Sequence, residues 1–173
     1  MKIGLFYGSS TCYTEIVAEK IQAMLQATGK IQVDLFNIKT DPISKVNDYQ
    51  TLIFGISTWD YGELQEDWGI IWGDLDEIAI KGKTIALYGL GDQEGYGEWF
   101  LDAMGMLHDQ LLPQSPHIIG YWPTEGYEFT ASKATISNDQ FFVGLAIDED
   151  TQYELTDERV TEWCLQLQEA LKK

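Results

Sequence analysis

Four Ser and Thr hydroxyls crowd into Ser9-Ser10-Thr11-Cys12-Tyr13-Thr14, directly after a short apolar run that closes at Gly8. Where a helix begins, its first backbone N–H groups lack partners and its dipole is positive, so such a loop makes an anion site to which hydroxyls add neutral donors. No lysine lies in the loop. A phosphate there is held by neutral donors alone, as suits a cofactor monoester that stays bound. Neither G-x-x-x-x-G-K-[ST] nor G-x-G-x-x-G occurs, so a nucleoside-triphosphatase loop and a dinucleotide fingerprint both lack support. An ordinary capped turn accounts for the same hydroxyls. A second group, Ser57-Thr58-Trp59-Asp60-Tyr61-Gly62-Glu63, sets Trp and Tyr beside Gly, a composition able to wall a planar ligand. Packing of Trp59 on an adjacent helix is the alternative. In a third, Gly89-Leu90-Gly91-Asp92-Gln93-Glu94-Gly95-Tyr96-Gly97, the glycines allow close approach of backbone to ligand. Asp92 and Gln93 carry groups for the polar edge of a heterocycle, and Tyr96 offers a second stacking face.

These groups matter because of what precedes them. Ile3–Tyr7, Thr51–Ser57 and Thr84–Tyr88 are short apolar or β-branched runs, the pattern of buried parallel strands. Val33 and Leu35 suggest another strand, and Ile118–Tyr121 starts a fifth. Between them the period changes. Ile16, Val17, Ile21, Met24 and Leu25 share one face of a helix over about Thr14–Thr28, with Gly29 as its stop. Trp68, Ile71, Trp72 and Leu75 recur at helical spacing, and Phe100, Met104, Leu107 and Leu111 mark a further helix. Thr156 reads as the N-cap of a last helix carrying Val160, Trp163, Leu167 and Leu171. Strands alternating with helices predict an α/β three-layer sandwich, a five-stranded parallel sheet with helices on both faces. Residues 122–139 break the rhythm with Pro123, Gly126 and several polar residues before strand character resumes at Gln140–Leu145. The simplest account is a long insertion splitting the fifth strand of a single domain over residues 1–173. In such sheets ligands bind beyond the strand C-termini where strand order switches, which is where all three groups fall.

Composition narrows the function. Lys+Arg 11 against Asp+Glu 28 gives a net charge of −17. Such a surface repels phosphate backbones and anionic lipid, disfavouring nucleic-acid and membrane roles, and attracts basic protein partners. From Val46 to Ile80 there are eight acids and no Lys or Arg, and from Thr84 to Ser132 seven and none. Both stretches include a candidate ligand loop. Cys12 and Cys164 form no metal or disulfide pattern. The short apolar N-terminal run is no signal peptide, so a cytoplasmic monomer is the expectation. His108 and His117 read as structural, and no G-x-S-x-G elbow is present. Glu63, Glu66 and Asp67 read as an exposed acidic first helical turn.

Taken together, the hydroxyl loop, Ser57-Thr58-Trp59 with Gly62-Glu63, and Gly89 through Gln93 with Tyr96 resemble the three FMN loops of the flavodoxins. The insertion, with Tyr127-Glu128-Phe129 and Phe142-Val143-Gly144-Leu145-Ala146-Ile147-Asp148, is similar to the long-chain subgroup. Gly8 through Glu15 and Tyr121 through Tyr127 look most like one branch of that subgroup. The family usually has glycine where this chain has Cys12.

The resemblance implies a flavodoxin-like fold with strand order 2-1-3-4-5, bound FMN, and no catalysis on a substrate of its own. It puts Ser9, Ser10, Thr11, Cys12, Tyr13 and Thr14 on the phosphate. Ser57, Thr58, Trp59 and Gly62 fall on one side of the isoalloxazine, and Gly89, Leu90, Gly91, Asp92, Gln93 and Tyr96 on the other side and the pyrimidine edge. Trp59 and Tyr96 would sandwich the ring. It implies a low-potential one-electron carrier fed by a ferredoxin/flavodoxin-NADP reductase and delivering to electron-acceptor enzymes through an acidic face. A carboxylate ~10 Å from a reduced, anionic flavin costs ~1.7 kcal/mol at an effective dielectric of ~20, roughly 70 mV for one electron. An FMN-dependent quinone or NAD(P)H oxidoreductase is the alternative, disfavoured because no basic residue near the loops would bind a phosphorylated dinucleotide. A response-regulator-like domain needs an acceptor Asp where this chain has Ser57.

Overall fold

The computed structural model describes residues 1–172. Strands β1 (Lys2–Tyr7), β2 (Gln32–Asn37), β3 (Thr51–Trp59) and β4 (Thr84–Leu90) lie parallel in the order β2-β1-β3-β4. Leu5, Phe6, Ile53, Phe54, Ile85 and Leu87 are buried, as strands covered on both faces require. Helix α1 (Tyr13–Gln26) packs beside α4 (Thr156–Ala170). Helix α3 (Asp102–Leu111) lies over β3 and β4, with the short α2 (Glu66–Ile70) leading into the 3-10 turn Trp72–Asp76 that meets α3.

The fifth strand is split. Its first part, β5 (His117–Ile119), pairs with Thr84–Ala86 of β4, and its second, β6 (Leu145–Ile147), pairs with Tyr88–Leu90. Only Leu87 stands between the two pairings. Pairing with the main sheet resumes at Leu145, later than the pattern suggested. Phe141–Phe142 belongs instead to a three-stranded antiparallel sheet of the insertion's own, with Trp122–Pro123 and Thr135–Ile136 on either side. The reason is apolar area: Phe142 is fully buried and meets Phe100 and Phe129 at ring separations of 5.8 and 5.3 Å. That cluster seals the insertion onto the parent core. Tyr127 adds a hydroxyl that donates to the Ala146 carbonyl at 2.7 Å, while the Arg159 guanidinium lies 4.1 Å above its ring. Gly105 of α3 has the insertion backbone so close that a Cβ would stand 2.3 Å from the Lys133 carbonyl.

Two helix expectations need correction. The helix drawn through Trp68 and Leu75 breaks at Ile71 into a 3-10 turn. Gly69 and Gly73 lower its helix propensity, and the two indispensable anchors, Trp68 and Leu75, are both buried regardless. Thr156 is not an N-cap. It lies inside α4 behind the turn Tyr153–Leu155, and its hydroxyl donates to Glu149 at 2.7 Å.

Candidate ligand cleft

Beyond the C-terminal ends of β1, β3 and β4 the three loops converge on a cleft of about 290 Å³. Thr11, Tyr13 and Thr14 line it from the first, Ser57, Thr58 and Trp59 from the second, and Leu90, Gly91, Asp92 and Tyr96 from the third. Asp60, Trp99, Phe100, Glu149 and Asp150 complete it. Of these five, only Asp60 belongs to a loop that the sequence singled out. Tyr61–Trp99 at 5.1 Å and Tyr61–Tyr96 at 6.5 Å form an edge-to-face aromatic cluster on the rim.

The first loop is a working helix N-terminus. Cys12 occupies the N-cap of α1 in the left-handed region, φ 69°, and its carbonyl accepts from Ile16 N at 2.9 Å. The chain therefore keeps, with a cysteine, the backbone shape that glycine adopts most easily. Ser9 Oγ is buried and has no hydrogen-bond partner, so the loop holds an unanswered polar group. Two side chains brace the loop from the protein side. The Tyr88 hydroxyl donates to the Thr14 carbonyl at 2.8 Å, and Gln65 Nε2 donates to Ser10 Oγ at 3.1 Å. Burial holds the Tyr88 phenol well above its ordinary pKa. Tyr7 is likewise raised, by burial first and then by its 2.6 Å bond to Glu15, so both phenols stay protonated.

In the second loop, Trp59 Nε1 donates to Ser57 Oγ at 2.9 Å, which orients the indole. Thr58 Oγ1 accepts from Ala103 N at 3.0 Å and so ties this wall to the first turn of α3. The chain turns at Asp60 and Gly62, with φ 43° and 87°, so that Glu63 pairs back with Trp59. Gly62 lies under the turn rather than in the cleft, where a Cβ would stand 2.8 Å from Asp102 Oδ2. Asp67, expected to be exposed, is buried and accepts from Gln65 Nε2 at 2.8 Å.

The third loop corrects the sequence reading most. Gln93 does not face the cleft. It is buried, with Nε2 donating to Asp148 Oδ2 at 2.8 Å and Oε1 accepting from Glu128 N at 2.6 Å. Its amide is used up joining the loop to the insertion and to the end of β6. Most of the loop's glycines make room for protein neighbours. Gly89 packs on Met104, Gly95 on the Asp92 carboxylate and Gly97 on the Gln93 carbonyl; only Gly91 lines the cleft. Asp92 Oδ1 accepts from Glu94 N and Gly95 N at 3.0 and 2.7 Å, fixing the turn that presents Tyr96.

The arrangement pairs a neutral hydrogen-bonding pole with an aromatic slot under an acidic rim. Burial, then Asp92, Asp148 and Glu149, raise the Asp150 carboxyl above its ordinary pKa. Among the described residues no group of His, Cys, Asp and Glu could hold a metal ion, and no helix is long and apolar enough to cross a membrane.

Residues 5–163 match the flavodoxin family model. The chain is 57% identical over 167 residues to flavodoxin 2 of Escherichia coli (strain K12), covering 96% of this chain and 95% of that one. It is 47% identical over 168 residues to flavodoxin 1 of the same strain, covering 97% and 93%. The crystal structure of Fusobacterium nucleatum flavodoxin bound to flavin mononucleotide superposes with a TM-score of 0.89 at 29% identity, covering 98% of each chain.

Proposed function

The chain belongs to the flavodoxin family, and from that premise we propose that its cleft holds one FMN and that the protein is a low-potential one-electron carrier rather than an enzyme. The observation that carries this reading is the convergence of a phosphate-sized hydroxyl loop and an aromatic slot on one cleft at the sheet's switch point. When bound, FMN supplies the one-electron chemistry. Thr11, Tyr13 and Thr14, with Ser9, Ser10 and Cys12 of the same loop, would hold its phosphate through N–H and O–H donors. Trp59 and Tyr96, which line the cleft, would wall the ring, and Leu90, Gly91 and Asp92 would lie along its edge. Asp60, Asp92, Glu149 and Asp150 put negative charge against the cleft, which disfavours adding a further negative charge there. A basic face on a flavodoxin-NADP reductase, and then on an acceptor enzyme, is the complement of this rim.

The test is the purified protein itself. One FMN per chain is expected, with NADPH oxidised only after a reductase is added. Finding FAD, or no flavin after reconstitution, removes the cofactor reading. NADPH oxidation by the protein alone makes it an oxidoreductase.

A further inference from the structure

Gln65 is 1% exposed and caps α2, yet it also reaches across to the opposite loop. The backbone N–H of Trp68 donates to its Oε1 at 3.3 Å, and a backbone N–H can only donate. That fixes the amide orientation and leaves Nε2 as the end facing Ser10 Oγ at 3.1 Å and Asp67 Oδ2 at 2.8 Å. Both Nε2 hydrogens are therefore committed. Gly8 makes room for this arrangement, since a Cβ there would sit 2.2 Å from Oε1.

The consequence is a polarity. A hydroxyl that accepts a hydrogen bond through its oxygen has its own hydrogen free to donate elsewhere. From this geometry we infer that Gln65 is a specificity-determining positioning residue: by donating to Ser10 Oγ it makes Ser10 a donor toward an anion in the 9–14 loop, and so selects a phosphate ester over the bare hydroxyl of riboflavin. The inference rests on the FMN reading above. Gln65 itself touches no ligand. It acts through Ser10, and it links the phosphate loop to the segment that carries Trp59.

Flavin-free protein titrated with FMN and with riboflavin decides it. In Gln65→Glu, Ser10 turns its hydrogen to the new carboxylate, and FMN affinity falls by about tenfold or more while riboflavin affinity changes by less than about twofold. Gln65→Met, which removes the donor without adding an acceptor, gives a smaller loss with the same selectivity. In a Ser10→Ala background the neutral Gln65→Met does not lower the FMN-to-riboflavin ratio further, whereas Gln65→Glu keeps only the part of its effect that comes from its added charge. Proportional weakening of both flavins would show a role in folding the segment only, and an unchanged ratio would show no role; either overturns the inference. Glu still accepts from Trp68 N but faces Asp67 Oδ2 where Nε2 donated at 2.8 Å, so it is made together with Asp67→Asn, whose amide can donate to it; that pair, compared with Asp67→Asn alone, carries the test if the methionine variant fails to fold. A wild-type protein that does not prefer FMN would overturn the phosphate reading itself, a separate outcome.

Discussion

At Cys12 the backbone sits at φ 69°, where a side chain costs roughly 1–2 kcal/mol and glycine nothing. Glycine also frees the unfolded chain, an opposing term of about 0.4–1 kcal/mol. Cys12→Gly should thus be neutral or stabilising by up to about 1.6 kcal/mol, and the β-branched Cys12→Val should lose about 1 kcal/mol or more. Urea midpoints at constant m-value check the pair; a stabilised valine variant would mean that the loop does not hold this shape. A second residue, Asp102, has its carboxyl raised chiefly by burial, against the bond it accepts from Lys133 N at 2.8 Å. Its folded form therefore binds a proton more tightly than the unfolded chain. Its contribution favours folding in acid and is lost as pH rises above the unfolded value of 3.8. Asp102→Asn should be more stable than the parent at neutral pH, with the advantage shrinking in acid, as thermal unfolding across pH would reveal. At this scale the sequence was half legible. Trp59, Tyr96 and the hydroxyls announced themselves by type and position. Gln93 did not, because the partner that buries it, Asp148, is 55 residues away. Glu149 and Asp150 were hidden in the same way: only the return of β6 beside β4 brings them to the cleft.

Among the elements, α3 and the insertion make the most exposed claim. Gly105 is mid-helix, where alanine is normally worth about 1 kcal/mol more. Here its Cβ would stand 2.3 Å from the Lys133 carbonyl, so Gly105→Ala should instead destabilise by about 1–3 kcal/mol in urea unfolding. A gain in stability would mean that the insertion does not lie on α3 as described. The parallel strands and the split of the fifth were readable, since apolar runs and a polar interruption are local signals. The end of the interruption was not. Phe141–Phe142 has the apolar character of a sheet strand, and only its burial among Phe100 and Phe129 decides which sheet it joins. The break at Ile71 was equally hidden behind a clean helical spacing, for Trp68 and Leu75 reach the core from a 3-10 continuation as well.

Over the whole molecule the net charge is strongly negative, and part of it borders the cleft. Asp60, Glu63 and Glu66 are exposed beside the cleft at the C-terminal ends of the strands. Lys2, Lys30, Lys81 and Lys83 lie at or before the opposite ends of β1, β2 and β4. A partner with a basic face would find these acids complementary. Neutralising Asp60, Glu63 and Glu66 should slow association with a reductase by about tenfold at low salt while leaving flavin affinity nearly unchanged. Raising salt should slow the parent likewise, screening being strong beyond ~8 Å at 0.15 M. Stopped-flow reduction at several ionic strengths measures both, and a rate indifferent to salt would leave the rim no part in encounter. Covalent continuity, finally, is less essential than the strand count implies. β5 and β6 each pair with β4 on their own, and the chain joining them passes through exposed Ser137, Asn138 and Asp139, all at positive φ. A protease should nick there first. The two pieces should then travel as one particle in gel filtration and part only in denaturant, which makes this turn a seam along which the protein can be halved and reassembled.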